Sequence, residues 1–195
     1  MEYADLVAVY RRLDATQSNN EKTAVLAQAF ADADDDHLPL LVTLVRGSVF
    51  AAWEPGDIGV SSSLTTQAIV RSTGVDGDTV GSWEEASGDL GDAAARAVEN
   101  QRQQTLVSRD LDVRTVYETL RELVDYEGAG SQGRRVDAVA NLLSRSDPEA
   151  ARYVVRTALG HLRVGVGTGT IRDAIALAFL TDDDPSDPEA VSRLD

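Results

Sequence analysis

The hydrophobic positions of this chain recur at helical spacing along nearly its whole length. Near the N-terminus, Leu6, Val9, Tyr10 and Leu13 fall on one face of a predicted helix. The same period returns in the later segments, and none shows the apolar–polar alternation of a half-buried strand. Serine and aspartate residues precede these segments and glycines follow them, as at helix starts and ends. The pattern therefore predicts an all-α domain of about ten to twelve helices.

Three polar stretches interrupt this periodicity. Residues 48–59 form a predicted loop in which Trp53 is expected to anchor the core, and residues 101–110 form a second predicted loop. Residues 181–195 begin with aspartates and prolines, which is typical of a linker, and Pro188 then begins another helical segment. We therefore predict one domain over residues 1–180, followed by a linker and the start of a helix that leads to further domains.

Two segments, residues 18–73 and 131–180, show the same order of helix, helix, glycine turn and helix. Seven residues are looped out of the first copy in this alignment. Amphipathic helices can align by chance, but here glycines and helix starts coincide as well, which predicts an internal pseudo-two-fold repeat. The aligned residues are Ser18 with Ser131, Lys22 with Arg135, Gly47 with Gly160, and Gly59-Val60-Ser61 with Gly165-Val166-Gly167.

The charge balance narrows the classes of partner. The 195 residues carry 33 acidic and 18 basic side chains, a formal net charge of −15, and Lys22 is the only lysine. Such a charge ordinarily argues against nucleic acid, because phosphate repels it. In molar salt the Debye length falls to about 3 Å, so distant like charges hardly interact. An aspartate-rich, lysine-poor chain is typical of extreme halophiles, and we favour that interpretation over an ordinary acidic protein.

Composition also excludes several kinds of site. Cysteine is absent, which removes disulfides and thiolate metal sites, and His37 and His161 are too far apart in sequence to suggest a metal cluster. No run of 18 apolar residues and no N-terminal signal pattern is present, so we expect a cytoplasmic protein without a membrane span.

A basic island lies in this acidic chain between Gly128 and Arg172. It holds seven arginines and three acidic residues, and two turns rich in glycine and hydroxyl groups each open a predicted helix within it. The first turn of a helix has unpaired N–H groups and a partial positive charge, so it suits an anion. This combination points to phosphate. The glycines of residues 165–169 are not a P-loop, since no Gly-Lys-Ser/Thr sequence closes them.

The same island carries a family resemblance. Its motifs are Gly128-x-Gly130-Ser131-Gln132-x-x-Arg135, Pro148-Glu149-Ala150 with Tyr153, and Leu159-Gly160-x-Leu162-Arg163-x-Gly165-Val166-x-x-Gly169-Thr170-Ile171-x-Asp173-Ala174-Ile175. They resemble the N-terminal DNA-binding domain of archaeal-type ATP-dependent DNA ligases. The resemblance implies an all-helical domain that holds nicked duplex DNA through minor-groove and backbone contacts. It also implies catalytic domains, outside this chain, that use ATP and Mg²⁺ in replication, repair and recombination.

The resemblance assigns phosphate contacts to both turns and to their first-copy counterparts. Glycines at these places can instead serve as helix caps, and Arg152 and Arg156, in mid-helix, can equally form internal ion pairs. The assigned residues are Gly128, Gly130, Ser131, Gln132, Arg134 and Arg135 in the first turn, Arg163, Gly165, Gly167, Thr168, Gly169, Thr170 and Arg172 in the second, and Ser61, Ser62, Ser63 and Arg71 in the first copy.

The adenylation motif of such ligases, Lys-x-Asp-Gly, is absent. Lys22 precedes Thr23-Ala24-Val25, so we expect this chain to bind DNA but not to ligate alone. By position, Gln103, Leu106 and Val107 resemble the sliding-clamp segment of some archaeal ligases, and a plain loop is an equal alternative. The chain is expected to be a monomer. The alternative function is an acidic helical module that binds basic proteins.

Overall fold

The computed structural model describes residues 1–54, 56–102 and 111–194 and confirms the all-α prediction. Within them it contains eleven α-helices, a short 3-10 turn at Leu123–Asp125 and no strand. The helices are α1 (Tyr3–Asp14), α2 (Asn19–Ala31), α3 (Leu38–Leu44), α4 (Ser62–Thr73), α5 (Gly77–Ser87), α6 (Leu90–Arg102), α7 (Val113–Glu122), α8 (Ser131–Arg145), α9 (Pro148–Ala158), α10 (Thr168–Phe179) and α11 (Pro188–Val191).

One hydrophobic core joins these helices. Leu6, Tyr10 and Leu13 of the predicted face of α1 are buried, and Val9 is half-buried. The Tyr10 ring lies 4.9 Å from the Tyr153 ring of α9. The chain start is fixed to the beginning of α7, because the Tyr3 amide donates to the Leu111 carbonyl at 2.7 Å and the Val113 amide donates to the Met1 carbonyl at 3.2 Å. Since α1 and α7 are far apart in sequence, these contacts tie the N-terminus into the fold.

The three most extensive helix–helix contacts are those of α6 with α9, α10 with α2, and α4 with α8. The first pair is close because Gly91 faces the backbone of α9; a Cβ there would lie 2.8 Å from the Arg152 carbonyl oxygen. The other two pairs each join one helix of residues 18–73 to one of residues 131–180, so these segments pack on each other.

The arginines in the middle of α9 form internal ion pairs. Arg156 is buried and lies 2.9 Å from the carboxylate of Asp89, itself 6 % exposed. Arg152 pairs with Asp92 and with Glu149, each at 2.7 Å. These side chains hold α9 to the start of α6, and the ion-pair alternative is the one that the structure supports.

Trp53 is 85 % exposed, so its prediction as a core anchor was wrong. Phe50 takes that role: it is 9 % exposed, and its ring faces Gly56 so closely that a Cβ would lie 2.6 Å away. Glu54 then pairs with Arg121 of α7 at 2.7 Å. Phe50 is buried and Glu54 is held at the surface by Arg121, while the intervening tryptophan is exposed.

The segment after α10 packs on the domain. Ala190 of α11 is fully buried, and Asn20 of α2 donates to the Ser192 hydroxyl at 3.2 Å. None of the helices described is long and apolar enough to cross a membrane.

Candidate nucleic-acid interface

The start of α8 lacks a capping side chain. Gly128 and Gly130 take left-handed conformations with φ of 77° and 82°, which glycine adopts without strain. The Ser131 amide donates back to the Gly128 carbonyl at 3.2 Å. The amides of Gln132 and Gly133 have no acceptor among the described residues. Two N–H groups at this helix start are therefore open to an external acceptor.

The start of α10 is equally open. Gly167 is its N-cap residue, with extended backbone and no side chain to accept a hydrogen bond. In the described part of the chain, no acceptor meets the amides of Thr168, Gly169 and Thr170. A Cβ added at Gly167 or Gly169 would touch nothing within 4 Å. The surface around these donors is therefore open.

Seven other helix starts in the described ranges are at least partly capped by a side chain, whereas α3 has no side-chain cap. At α2, α4, α5, α6, α7, α9 and α11, a serine or aspartate oxygen accepts from the first amides, as is usual for capped helices. Within the described ranges, glycine is the N-cap residue at α8 and α10 alone. The capping oxygens belong to Ser18, Ser61, Asp76, Asp89, Asp112, Asp147 and Asp187.

The first-copy turn is partly capped by comparison, and the amides of Ser62 and Ser63 have no acceptor among the described residues. The Ser61 hydroxyl accepts from the Leu64 amide at 3.3 Å, which occupies the capping position of α4. Gly59, with φ of 68°, donates its amide to Asp57 at 2.8 Å. Ser62 and Ser63 are exposed. This turn therefore presents hydroxyl groups but fewer open amides than the turn before α10.

The exposed arginines assigned to the interface all have partners within the chain. Arg71 pairs with Asp137, and Arg172 pairs with its neighbour Asp173 at 2.7 Å. Arg134 donates to the Glu127 carbonyl at 2.8 Å and lies over the Tyr126 ring. These bonds are exposed, and exposed pairs are weak, so such side chains can exchange partners at low cost.

Arg163 has the most constrained backbone of the assigned residues. Among the described residues it is the one non-glycine residue with positive φ, at 61°. This conformation is energetically unfavourable for a residue with a side chain. Its guanidinium donates to the Gly88 carbonyl at 3.0 Å and lies 3.4 Å from Asp89. These contacts hold Arg163 at the surface beside the turn that opens α10, where its side chain is 54 % exposed.

Two cations lie behind the turns, and their role was missed at the sequence level. Lys22 of α2 is buried and donates to the carbonyls of Val164 and Gly165 at 2.8 and 3.3 Å. Arg135 of α8, assigned to phosphate, is turned inward and donates to the Ile58 carbonyl at 3.3 Å. The alignment of Lys22 with Arg135 places a cation at the same position of each half and could have indicated a shared role. The sequence analysis related Lys22 only to the adenylation motif.

The contacts of Lys22 and Arg135 show that the residues assigned to phosphate lie in two separate regions of the surface. The start of α8 lies against the loop before α4, which brings the 128–135 and 58–63 segments together. The start of α10 lies against α2 instead. In the ranges that the structure describes, no group of three or more acidic or histidine side chains could hold a metal ion. Gln103, Leu106 and Val107 lie outside the described residues.

The comparisons with known proteins agree on one family. A family model described as DNA ligase N terminus matches residues 2–176. The DNA ligase of Thermococcus fumicolans is 36 % identical over 179 residues, which are 92 % of this chain and 32 % of that protein. The DNA ligase of Methanothermobacter thermautotrophicus is 37 % identical over 180 residues, with the same two shares. This chain thus spans about a third of the length of these relatives. The acidic interaction module receives no support from them.

Proposed function

Since this chain belongs to the family of DNA ligase N-terminal domains, we propose that it holds nicked duplex DNA by its backbone phosphates. The parent protein would be an ATP-dependent DNA ligase, as its relatives are named DNA ligase. ATP and Mg²⁺ would act in its catalytic domains, outside these residues. The domain supplies binding and orientation, and the parent enzyme seals the phosphodiester bond in replication, repair and recombination.

The observation that carries this proposal is the pair of glycine-capped helix starts, at α8 and α10. Amides aimed at solvent, together with the positive end of the helix dipole, suit phosphate oxygens. Backbone donors contact any phosphate alike and carry no information on base sequence. An enzyme that acts at nicks of any sequence needs this kind of contact.

The contacts are proposed to form a clamp with approximate two-fold symmetry. The clamp is supported by the reciprocal packing of the two halves: α2 of the first packs on α10 of the second, and α8 of the second packs on α4 of the first. Gly59 and Gly165 share a left-handed conformation, with φ of 68° and 65°. The turns at residues 59–63 and 165–170 would straddle the minor groove, each near one strand. The second turn would carry most of the affinity because its amides are open, whereas Ser61 caps α4 itself.

The working conditions of the domain follow from its charge. With a net charge of −15, we propose that it binds DNA as a monomer in the molar salt of a halophile's cytoplasm. Residues 103–107 stay a candidate segment for a sliding clamp.

Binding to fluorescent duplexes, nicked and intact and of two unrelated sequences, tests the proposal across KCl concentrations. We expect binding to nicked duplex that is independent of sequence. Arg163→Ala should weaken binding to both sequences about equally, by roughly 3- to 10-fold, as expected for a phosphate contact. A loss confined to one sequence would mean that Arg163 contacts bases, and no binding at any KCl concentration would overturn the proposal.

Incubation with radiolabelled ATP and Mg²⁺ tests whether this domain lacks the adenylation activity of the parent enzyme. Because Lys22 is buried and outside a Lys-x-Asp-Gly motif, we expect no covalent AMP adduct on this chain. An adduct on Lys22 would contradict the division between a DNA-holding domain and separate catalytic domains.

A further inference from the structure

We propose that Lys22 and Arg135 are positioning residues, each of which holds the phosphate-facing turn of the opposite half of the domain. This inference rests on the proposed function, since it assigns how the DNA-contacting turns are kept in place. Lys22, on α2, acts on the turn before α10, and Arg135, on α8, acts on the turn before α4.

The fit between Lys22 and Gly165 is close. The Lys22 side chain is buried, and its ammonium bonds two successive carbonyls, those of Val164 and Gly165. A Cβ at Gly165 would lie 2.5 Å from the Lys22 nitrogen, and the φ of 65° disfavours a side chain as well. Residue 165 must therefore be glycine for the ammonium to reach this turn. In the described part of the chain, no carboxylate pairs with Lys22.

The direction of these bonds orients the turn. In a planar trans peptide, the carbonyl and the following N–H point in opposite directions. With the Val164 and Gly165 carbonyls turned inward to Lys22, the amides of Gly165 and Val166 point away from it. No acceptor among the described residues meets either amide. Lys22 thus adds two outward donors next to the open amides of α10, and it places a positive charge beneath them.

Arg135 repeats this arrangement in the other half. Its Nε donates to the Ile58 carbonyl, and a Cβ at Gly59 would lie 3.2 Å from the same nitrogen. Ile58 and Gly59 correspond to Val164 and Gly165 in the alignment of the halves. The Gly59 amide, however, already donates to Asp57 at 2.8 Å. Arg135 therefore supports a turn with fewer open donors, and its loss should matter less for binding.

Neutral substitutions test this assignment by DNA affinity. Lys22→Met keeps an unbranched side chain and removes the charge and both hydrogen bonds. We expect Lys22→Met to weaken binding to nicked duplex by 10-fold or more, and Arg135→Met by about 2- to 5-fold. Arg11→Met is the control of equal charge change, since Arg11 is 67 % exposed and meets Glu149 only at 4.0 Å; it should change affinity by less than 2-fold.

A chemical rescue separates positioning from a general loss of stability. The chain has no cysteine, so Lys22→Cys can be alkylated with bromoethylamine while unfolded, which restores an ammonium at nearly the original length. After refolding, the aminoethylated protein should regain most of the affinity, whereas a carbamidomethylated sample should not. If Lys22→Met fails to fold, Lys22→Gln, a neutral variant that keeps an N–H₂ donor group, takes its place in the affinity measurement. Equal affinity of the two alkylated samples would overturn the inference.

Amine labelling distinguishes positioning from direct contact. Because Lys22 is the only lysine, a mass shift on its peptide reports this side chain alone. A positioning residue should resist labelling equally with and without DNA. Rapid labelling that DNA blocks would mean that Lys22 touches phosphate and would overturn the inference. If the wild-type chain binds no duplex, the proposed function fails; if it binds and Lys22→Met binds as tightly, only this inference fails.

Discussion

Gly167 illustrates at the residue scale how stability and binding are separated in this chain. Its backbone is extended, so any residue fits there, and a side chain would meet open space. Asparagine is a better N-cap than glycine, and alanine is a poorer one. An asparagine oxygen would accept from the amides that we assign to phosphate, whereas alanine would leave them free.

Gly167→Asn should therefore keep or slightly raise the Tm, by about 1 °C, yet weaken DNA binding several-fold. Gly167→Ala should do the reverse, with a lower Tm and nearly unchanged affinity. Thermal melts and fluorescence anisotropy on both variants check this crossed pattern. If both variants bind DNA as the wild type does, the amides of α10 are not the contact.

The Glu54–Arg121 pair makes a pH-dependent contribution to the free energy of unfolding. Hydrogen bonds from Arg121 lower the pKa of Glu54 from 4.5 to about 2. Because the folded-state pKa is depressed, the pair stabilises the fold above about pH 4.5, and that stabilisation is lost as the pH falls through about 2.

Glu54→Gln should lower the Tm by about 2 °C at pH 7, as expected for an exposed pair. The difference from the wild type should shrink as the pH falls from about 4.5 toward 2, because Glu54 becomes protonated first in the unfolded state and only near pH 2 in the folded state. Melts of both proteins from pH 7 to pH 2 at constant salt measure it. A difference that stays constant over this range would assign the effect to packing instead of charge.

At the element scale, the crossing of α6 and α9 depends on Gly91. A Cβ there would lie 2.8 Å from the Arg152 carbonyl, which belongs to backbone that cannot move without separating the helices. Gly91→Ala should destabilise by about 1–3 kcal/mol, the usual cost of overpacking. Urea unfolding gives this free energy directly.

Gly81→Ala is the matched control for that substitution. Gly81 lies inside α5, and a Cβ there would meet nothing within 4 Å. Alanine in an open helical position stabilises by roughly 0.5–1 kcal/mol relative to glycine. Changes of opposite sign in the free energy of unfolding for the two substitutions would support a tight crossing of α6 and α9. A stabilising effect of Gly91→Ala would contradict it.

Helix period and capping residues predicted most elements, because both are local. Ser18, Asp147 and Gly74 each mark a helix boundary that the structure contains. The same local signals placed the glycine turns at the starts of α8 and α10. Which aromatic residue of the 48–59 loop is buried depends in part on Arg121, which is far away in sequence and lies over the Phe50 ring, so Trp53 was assigned wrongly. The inward turn of Arg135 and the burial of Lys22 likewise depend on contacts between segments far apart in sequence.

At the scale of the whole molecule, the net charge of −15 should make stability depend on salt. Exposed acidic residues, such as Asp34, Asp35 and Asp36, repel one another when the Debye length is about 30 Å at 0.01 M salt. The Tm should rise by several degrees or more from 0.05 M to about 2 M KCl. A Tm that is flat or falling would remove the argument for adaptation to molar salt.

The central claim is that the open amides of α8 and α10 bind DNA phosphate regardless of sequence. A titration of the ¹⁵N-labelled chain with two nicked duplexes of unrelated sequence, followed by amide NMR, tests it most directly. We expect the largest downfield amide-proton shifts at Gln132, Gly133, Thr168, Gly169 and Thr170, with the same pattern for both duplexes. Shifts centred on the capped starts of α5 or α7, or different patterns for the two duplexes, would contradict the account.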